Sequence, residues 1–122
     1  MNAAAALLTE RLVGLTPRIA LVLGSGLGRL ADEVEQTVRI PYADLPGFPG
    51  SGVSGHAGEL VAGLLCGRPV AMLSGRAHYY EHGDAAAMRP ALEALAGIGI
   101  ERLILTNAAG SLRADMPPGS VM

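Results

Sequence analysis

An uninterrupted apolar run, Ile19-Ala20-Leu21-Val22-Leu23, breaks into Gly24-Ser25-Gly26-Leu27-Gly28 and then resumes with helical spacing. A continuous apolar run bounded by turn residues is the pattern of a strand buried on both faces. When such a strand passes through small residues into a helix, backbone N–H groups and a hydroxyl come close enough to hold an anion. The spacing excludes two common versions of that device. Arg29 stands where a dinucleotide fingerprint needs its third glycine, and the Gly-Lys-Ser/Thr ending of a P-loop is absent. The expected ligand is therefore an anion other than a dinucleotide or a nucleoside triphosphate.

Two further small or polar motifs also follow directly on apolar strands. Gly75-Arg76-Ala77-His78-Tyr79-Tyr80-Glu81 follows Leu73-Ser74, and Asn107-Ala108-Ala109-Gly110 follows Thr106. Periodicity predicts a helix over Ala3 to Val13, strands at Arg18 to Leu23 and Gln36 to Ile40, and a short helix from Leu27 to Val34 between them. Glu59 to Leu65 and Pro69 to Ser74 read as a hairpin turning at Cys66-Gly67-Arg68. Asp84 is placed as the cap of a turn through Met88. Pro90 opens a helix to Ala96 with Leu92, Leu95 and Ala96 facing the core, and Arg102 to Thr106 is the last strand. From Pro41 to Gly58, with prolines at 41, 46 and 49, no regular element fits; a loop of that length is functional or disordered. The expected fold is α/β, a mixed and largely parallel sheet flanked by helices. In such a sheet ligands sit at the carboxyl ends of strands, so the three motifs are expected to share one rim.

With 122 residues, 50% of them apolar and 16% charged, the chain has the material for one globular domain with a core. A net charge of −2 without a basic or acidic run gives no electrostatic reason for a nucleic-acid or membrane partner. All nine Lys/Arg positions are arginine, so an anion clamp must use guanidinium. No segment reaches the roughly 18 apolar residues of a membrane span. Ala3 to Leu8 is too short for a signal-peptide core and lacks a basic leader, so a cytoplasmic location is expected. The single cysteine, Cys66, has no internal disulfide partner and reads as a small buried residue beside a turn.

Arg76 and His78 lie two apart, so in an extended segment both point to one side, where guanidinium and imidazole can grip one phosphate; Tyr80 continues that side. Glu81 either orients Arg76 or His78 or is simply surface, and His82 reads as turn material. His56, between small residues in Gly55-His56-Ala57-Gly58, either contacts such a ligand or packs at a turn. His56, His78 and His82 lack metal-ligand spacing, and no metal is expected. A single hydrogen bond to a charged acceptor contributes roughly 1.5–3 kcal/mol net, so holding phosphate takes several converging donors. Ser25, His56, Arg76, His78 and the Ala108 amide form the candidate set. Neither Ser25, which lacks a Gly-x-Ser-x-Gly setting, nor Cys66, which has no local histidine, is an activated nucleophile, so bound phosphate itself is the candidate attacking group.

The residues at this point resemble a known family. Leu23-Gly24-Ser25-Gly26-Leu27-Gly28, Ile40-Pro41-Tyr42 with Leu45-Pro46-Gly47-Phe48-Pro49, Gly55-His56-Ala57-Gly58, Gly75-Arg76-x-His78-x-Tyr80-Glu81 and Thr106-Asn107-Ala108-Ala109-Gly110 follow the order and spacing of the trimeric purine nucleoside phosphorylases. The resemblance implies a nucleoside phosphorylase-like fold and phosphorolysis of inosine, guanosine or their deoxy forms to free base and (deoxy)ribose 1-phosphate. It implies orthophosphate as co-substrate with no cofactor, and a homotrimer of the full-length chain. Ser25, His56, Arg76, Ala77, His78 and Ala108 would bind phosphate, with His56 and His78 catalytic, and Tyr80 would meet the ribose. His82, intervening between Tyr80-Glu81 and Gly83, departs from the family pattern. The family's purine-binding glutamate and asparagine come later than Met122, so residues 1–122 are expected to be the N-terminal portion of a single, incomplete domain. Two alternatives stand beside this reading. One is methylthioadenosine phosphorylase, whose Arg-His-Gly-x-x-x-His arrangement fits residues 75–81 less well; the other is an inactive phosphate-binding fragment.

Overall fold

The computed structural model describes residues 2–49, 58–78, 80 and 83–122. Among them, strands β1 (Ile19–Leu23), β2 (Glu35–Pro41), β3 (Glu59–Leu65), β4 (Arg68–Ser74) and β5 (Arg102–Leu105) form one sheet in the order β2-β3-β4-β1-β5. β1 runs parallel to both β4 and β5, whereas β2–β3 and β3–β4 are antiparallel, so the sheet is mixed. The hairpin is present with Leu65 opposite Arg68. Cys66 and Gly67 form its tip with φ of 50° and 79°, positive at both central positions as in a type I′ turn. That geometry turns Cys66 outward; it is exposed, not buried as expected.

The central strands β1, β3 and β4 are buried from both sides, which explains their unbroken apolar runs. Ala20, Val22, Leu60, Ala62, Ala71 and Leu73 face helices α1 (Ala3–Arg11) and α2 (Arg89–Gly97). Leu21, Leu23, Val61, Val70 and Met72 face the opposite way, under Ala31 and Val34. The segment covering that second face is a 3₁₀ helix, Gly28–Glu33, without a side-chain cap. It occupies the place of the predicted Leu27 to Val34 helix.

Helix α1 starts at Asn2, whose Oδ1 accepts the Ala5 N–H at 2.8 Å while its Nδ2 donates to the Pro90 carbonyl at 3.1 Å. One side chain thus caps α1 and ties it to the first turn of α2. Glu10 and Arg11 are on the wet side, as expected. Pro90 does open α2, but the helix buries Ala91, Ala94 and Leu95; Leu92 and Ala96 are exposed. The buried stripe continues through the partly covered Met88 and Ile98, a helical face offset from the expected one by about one residue. Asp84 Oδ1 accepts the Ala86 N–H at 2.9 Å, the turn cap expected of it.

Within the Pro41 to Gly58 stretch, Pro41 to Pro49 departs from the expectation that no regular element fits, and residues 50–57 lie outside the described residues. Tyr42–Asp44 is a 3₁₀ turn, and Leu45 N–H to Tyr42 O and Phe48 N–H to Leu45 O bonds continue it at 3.0 and 3.1 Å. Tyr42, Leu45 and Phe48 are all buried, a three-residue spacing that matches three residues per turn. No helix of the described residues is long and apolar enough to cross a membrane.

Candidate functional site at the carboxyl ends of the parallel strands

Because β1, β4 and β5 are parallel, Leu23, Ser74 and Leu105 end at the same rim. The antiparallel partners bring the end of β2 and the start of β3 there too, with Pro41 opposite Glu59 and Glu59 opposite Ser74. A cleft of about 930 Å³ opens on this rim. Ser25, Arg76, Ala77, His78 and Tyr80 line it together. Arg76 is the one guanidinium among the described lining residues.

After β1 the chain turns between Gly24 and Leu27, the Leu27 N–H donating to the Gly24 carbonyl at 3.2 Å. Gly26 occupies the third position with φ of 83°, a conformation that favours glycine. The Gly24 N–H is not available to a ligand: it donates to Thr106 Oγ1 at 2.8 Å. Ser25 and Gly26 retain N–H groups without an acceptor among the described residues, and Ser25 is exposed. Of the glycine turn expected to cradle an anion, the Gly24 N–H is thereby withdrawn.

After β4, Arg76 and His78 do point to one side. Arg76 Nε donates to His78 Nε2 at 3.4 Å, and the His78 ring stacks on Tyr80 with centroids 5.0 Å apart and planes 16° from parallel. The guanidinium is fixed from the other direction by Nη1 donating to the Thr106 carbonyl at 3.0 Å. These two bonds leave the Nη2 protons and the second Nη1 proton for a ligand. The Ala77 N–H donates to Met88 Sδ at 3.4 Å. Ala108 is exposed and does not line the cleft. His56, Glu81 and His82 lie outside the described residues.

Residues that chemistry alone did not single out complete the rim. Tyr42 is buried; its hydroxyl donates to the Gly75 carbonyl at 2.5 Å, its N–H to the Gly58 carbonyl at 3.0 Å, and its ring packs against Phe48 at 5.3 Å. Burial, and secondarily the charge of Glu59, pushes its phenol well above the ordinary tyrosine range. It is a fixed donor at neutral pH. The sequence signal for Tyr42 was the three-residue apolar spacing with Leu45 and Phe48. In the sequence Thr106 stands out only as the end of a strand and the first residue of a family motif; its partners lie 82, 84 and 30 positions away.

A rim at the ends of parallel strands, with a glycine turn, a guanidinium and an imidazole converging on one cleft, is the arrangement of an anion-binding α/β protein. The sequence pattern of the phosphorylase superfamily matches residues 18–122, and the chain belongs to that family. Purine nucleoside phosphorylase 1 of Geobacillus stearothermophilus is 49% identical over 107 residues, which make up 88% of this chain and 39% of that protein. A crystal structure of purine nucleoside phosphorylase in complex with ribose 1-phosphate superposes with a TM-score of 0.84 at 36% identity, covering 95% of this chain and 42% of the other. The Schistosoma mansoni purine nucleoside phosphorylase in complex with inosine gives a TM-score of 0.82 at 34% identity, over 95% and 40% of the two chains. The chain thus spans about two-fifths of the length of the relatives it matches.

Proposed function

We propose that this protein takes part in the phosphorolysis of purine nucleosides such as inosine and guanosine, or their deoxy forms, and that residues 1–122 supply its orthophosphate site. The observation that carries the reading is the convergence of the Ser25 turn with Arg76 and His78 on one cleft at the ends of β1 and β4. Relatives crystallised with inosine and with ribose 1-phosphate, a substrate and a product of that reaction, support it. In this reading the Ser25 and Gly26 N–H groups, the Ser25 hydroxyl, the unoccupied Arg76 protons and His78 hold the phosphate, with His56 as a further catalytic and phosphate-binding residue. Tyr80, stacked on His78, meets the ribose. The Ala77 and Ala108 contacts implied by the family belong to the same proposal.

A phosphate oxygen lone pair forms the bond to the anomeric carbon as the glycosidic C–N bond breaks. The base leaves with the electron pair of the broken C–N bond and takes up a proton. Positive charge develops on the sugar in an oxocarbenium-like transition state, and an anion held against it by fixed donors stabilises that charge. Positioning the dianion supplies much of the remainder. The reaction calls for no cofactor. The proposal extends to residues 1–122 as the N-terminal portion of one nucleoside phosphorylase-like domain, a homotrimer of the full-length chain and a cytoplasmic setting.

The test has two arms. Inorganic phosphate should raise the melting temperature of the wild-type chain, since a ligand at a hundredfold excess over its Kd stabilises by about 2.7 kcal/mol; Arg76→Ala should abolish that rise. Inosine incubated with and without phosphate should release hypoxanthine only when phosphate is present. Release from methylthioadenosine in place of inosine would transfer the reading to the other phosphorylase, and phosphate protection without any release would reduce it to a binding module.

A further inference from the structure

We infer that Thr106 is a positioning residue that holds the two halves of the phosphate site at a fixed separation, an inference that rests on the phosphate reading above. The two halves come from different strands. Ser25 follows β1 and Arg76 follows β4, and Thr106, at the end of β5, bonds to both sides. Its Oγ1 accepts the Gly24 N–H at 2.8 Å and donates to the Val22 carbonyl at 2.8 Å. Its main-chain N–H donates to the same Val22 carbonyl at 3.1 Å, and its own carbonyl accepts Arg76 Nη1 at 3.0 Å.

The arrangement matters because β5 is a weak support on its own. It is four residues long, pairs only with β1 among the described strands and is exposed at every position. The carbonyl against which Arg76 rests would therefore follow any fraying of β5. The threonine hydroxyl prevents this by adding a donor and an acceptor bond to β1 where the ladder ends. Steric contact reinforces it: a Cβ on Gly24 would lie 2.7 Å from Asn107 Cα and from the Thr106 carbonyl oxygen, so the two strand exits already touch. Valine keeps the shape of threonine and the main-chain carbonyl but loses both hydroxyl bonds. Serine keeps both bonds and loses only the methyl group.

The proposal is tested by titrating inorganic phosphate into wild type, Thr106→Val and Thr106→Ser, each well below its own melting temperature. Thr106→Val should bind phosphate about tenfold more weakly, the equivalent of about 1.4 kcal/mol, while Thr106→Ser stays within about twofold of wild type; the expectation follows from the scale of one net hydrogen bond. A residue that serves stability alone would lower the melting temperature in Thr106→Val and leave the phosphate Kd unchanged, which would overturn the inference. Loss of binding in a folded Thr106→Ser would overturn it as well. A third measurement needs no variant: the Gly24 amide of the wild type should exchange with solvent more slowly than that of Gly26, and equal rates would refute the Gly24 bond. Failure of the wild type to bind phosphate at all would instead bring down the phosphate reading itself, and this inference with it.

Discussion

Tyr42 shows how a residue outside the proposed phosphate set fixes the backbone next to one inside it. Its hydroxyl donates to the carbonyl of Gly75, the residue immediately before Arg76, and its ring is shut between Phe48 and the β2–β3 end of the rim. Tyr42→Phe keeps the packing and strands that carbonyl, at a cost of about 1–3 kcal/mol. A pH signature accompanies the loss. The folded-state pKa is raised above the unfolded value of about 10, so the stabilisation from protonated Tyr42 is complete below about pH 10 and declines as pH rises beyond it. Urea midpoints of the wild type should therefore fall above about pH 10, and Tyr42→Phe should lose part of that slope. Parallel midpoint curves for the two proteins would show that the phenol is not held as described.

At the scale of elements, the glycine turn ties the exits of β1 and β5 together through Gly24. Gly24→Ala would force its Cβ against Asn107 Cα and the Thr106 carbonyl, each 2.7 Å away, whereas a Cβ on Gly28 meets nothing within 4 Å. Gly24→Ala is expected to cost about 1–3 kcal/mol, as overpacking against backbone does. Gly28→Ala should be neutral or stabilising by up to about 1 kcal/mol through the unfolded chain. Equal melting temperatures for the two variants would dissolve the contact between the β1 and β5 exits. Strand positions and the hairpin were legible in the sequence because apolar runs and turn residues act locally. The shared side of Arg76 and His78 matches the two-residue repeat of extended chain, whereas Tyr80 reaches His78 from a helical conformation that the expected extended segment did not include. The buried face of α2 was not, because Ala91, Ala94 and Leu95 were selected by packing against α1 and the sheet, a tertiary choice between two adjacent stripes. Thr106 was illegible because its role depends on β5 lying beside β1, a neighbour relation that no local pattern encodes.

At the scale of the whole molecule, the two edges of the sheet are unlike each other. β2 presents Glu35 and Arg39 to solvent, while β5 presents Leu103, Ile104 and Leu105 at 41, 48 and 66% exposure. Leu103 and Leu105 share a face with Ala20 and Val22, and Ile104 shares the other with Leu21, so both layers of the core reach the open edge. An apolar edge strand with unpaired backbone groups is a template for another strand. The chain spans about two-fifths of the length of its relatives, and among the described residues no strand pairs with the outer side of β5. Copies are therefore expected to associate through β5, with a weight-average mass in sedimentation equilibrium that keeps rising with concentration. Ile104→Lys puts a charge on the edge, a substitution of the kind that natural edge strands use against such pairing, and should shift the distribution towards monomer without lowering the melting temperature by more than a few degrees. A discrete trimer that ignores Ile104→Lys would place the contact between copies away from β5, and a monomer at all concentrations would mean that the exposed leucines and isoleucine are not enough to recruit a second chain.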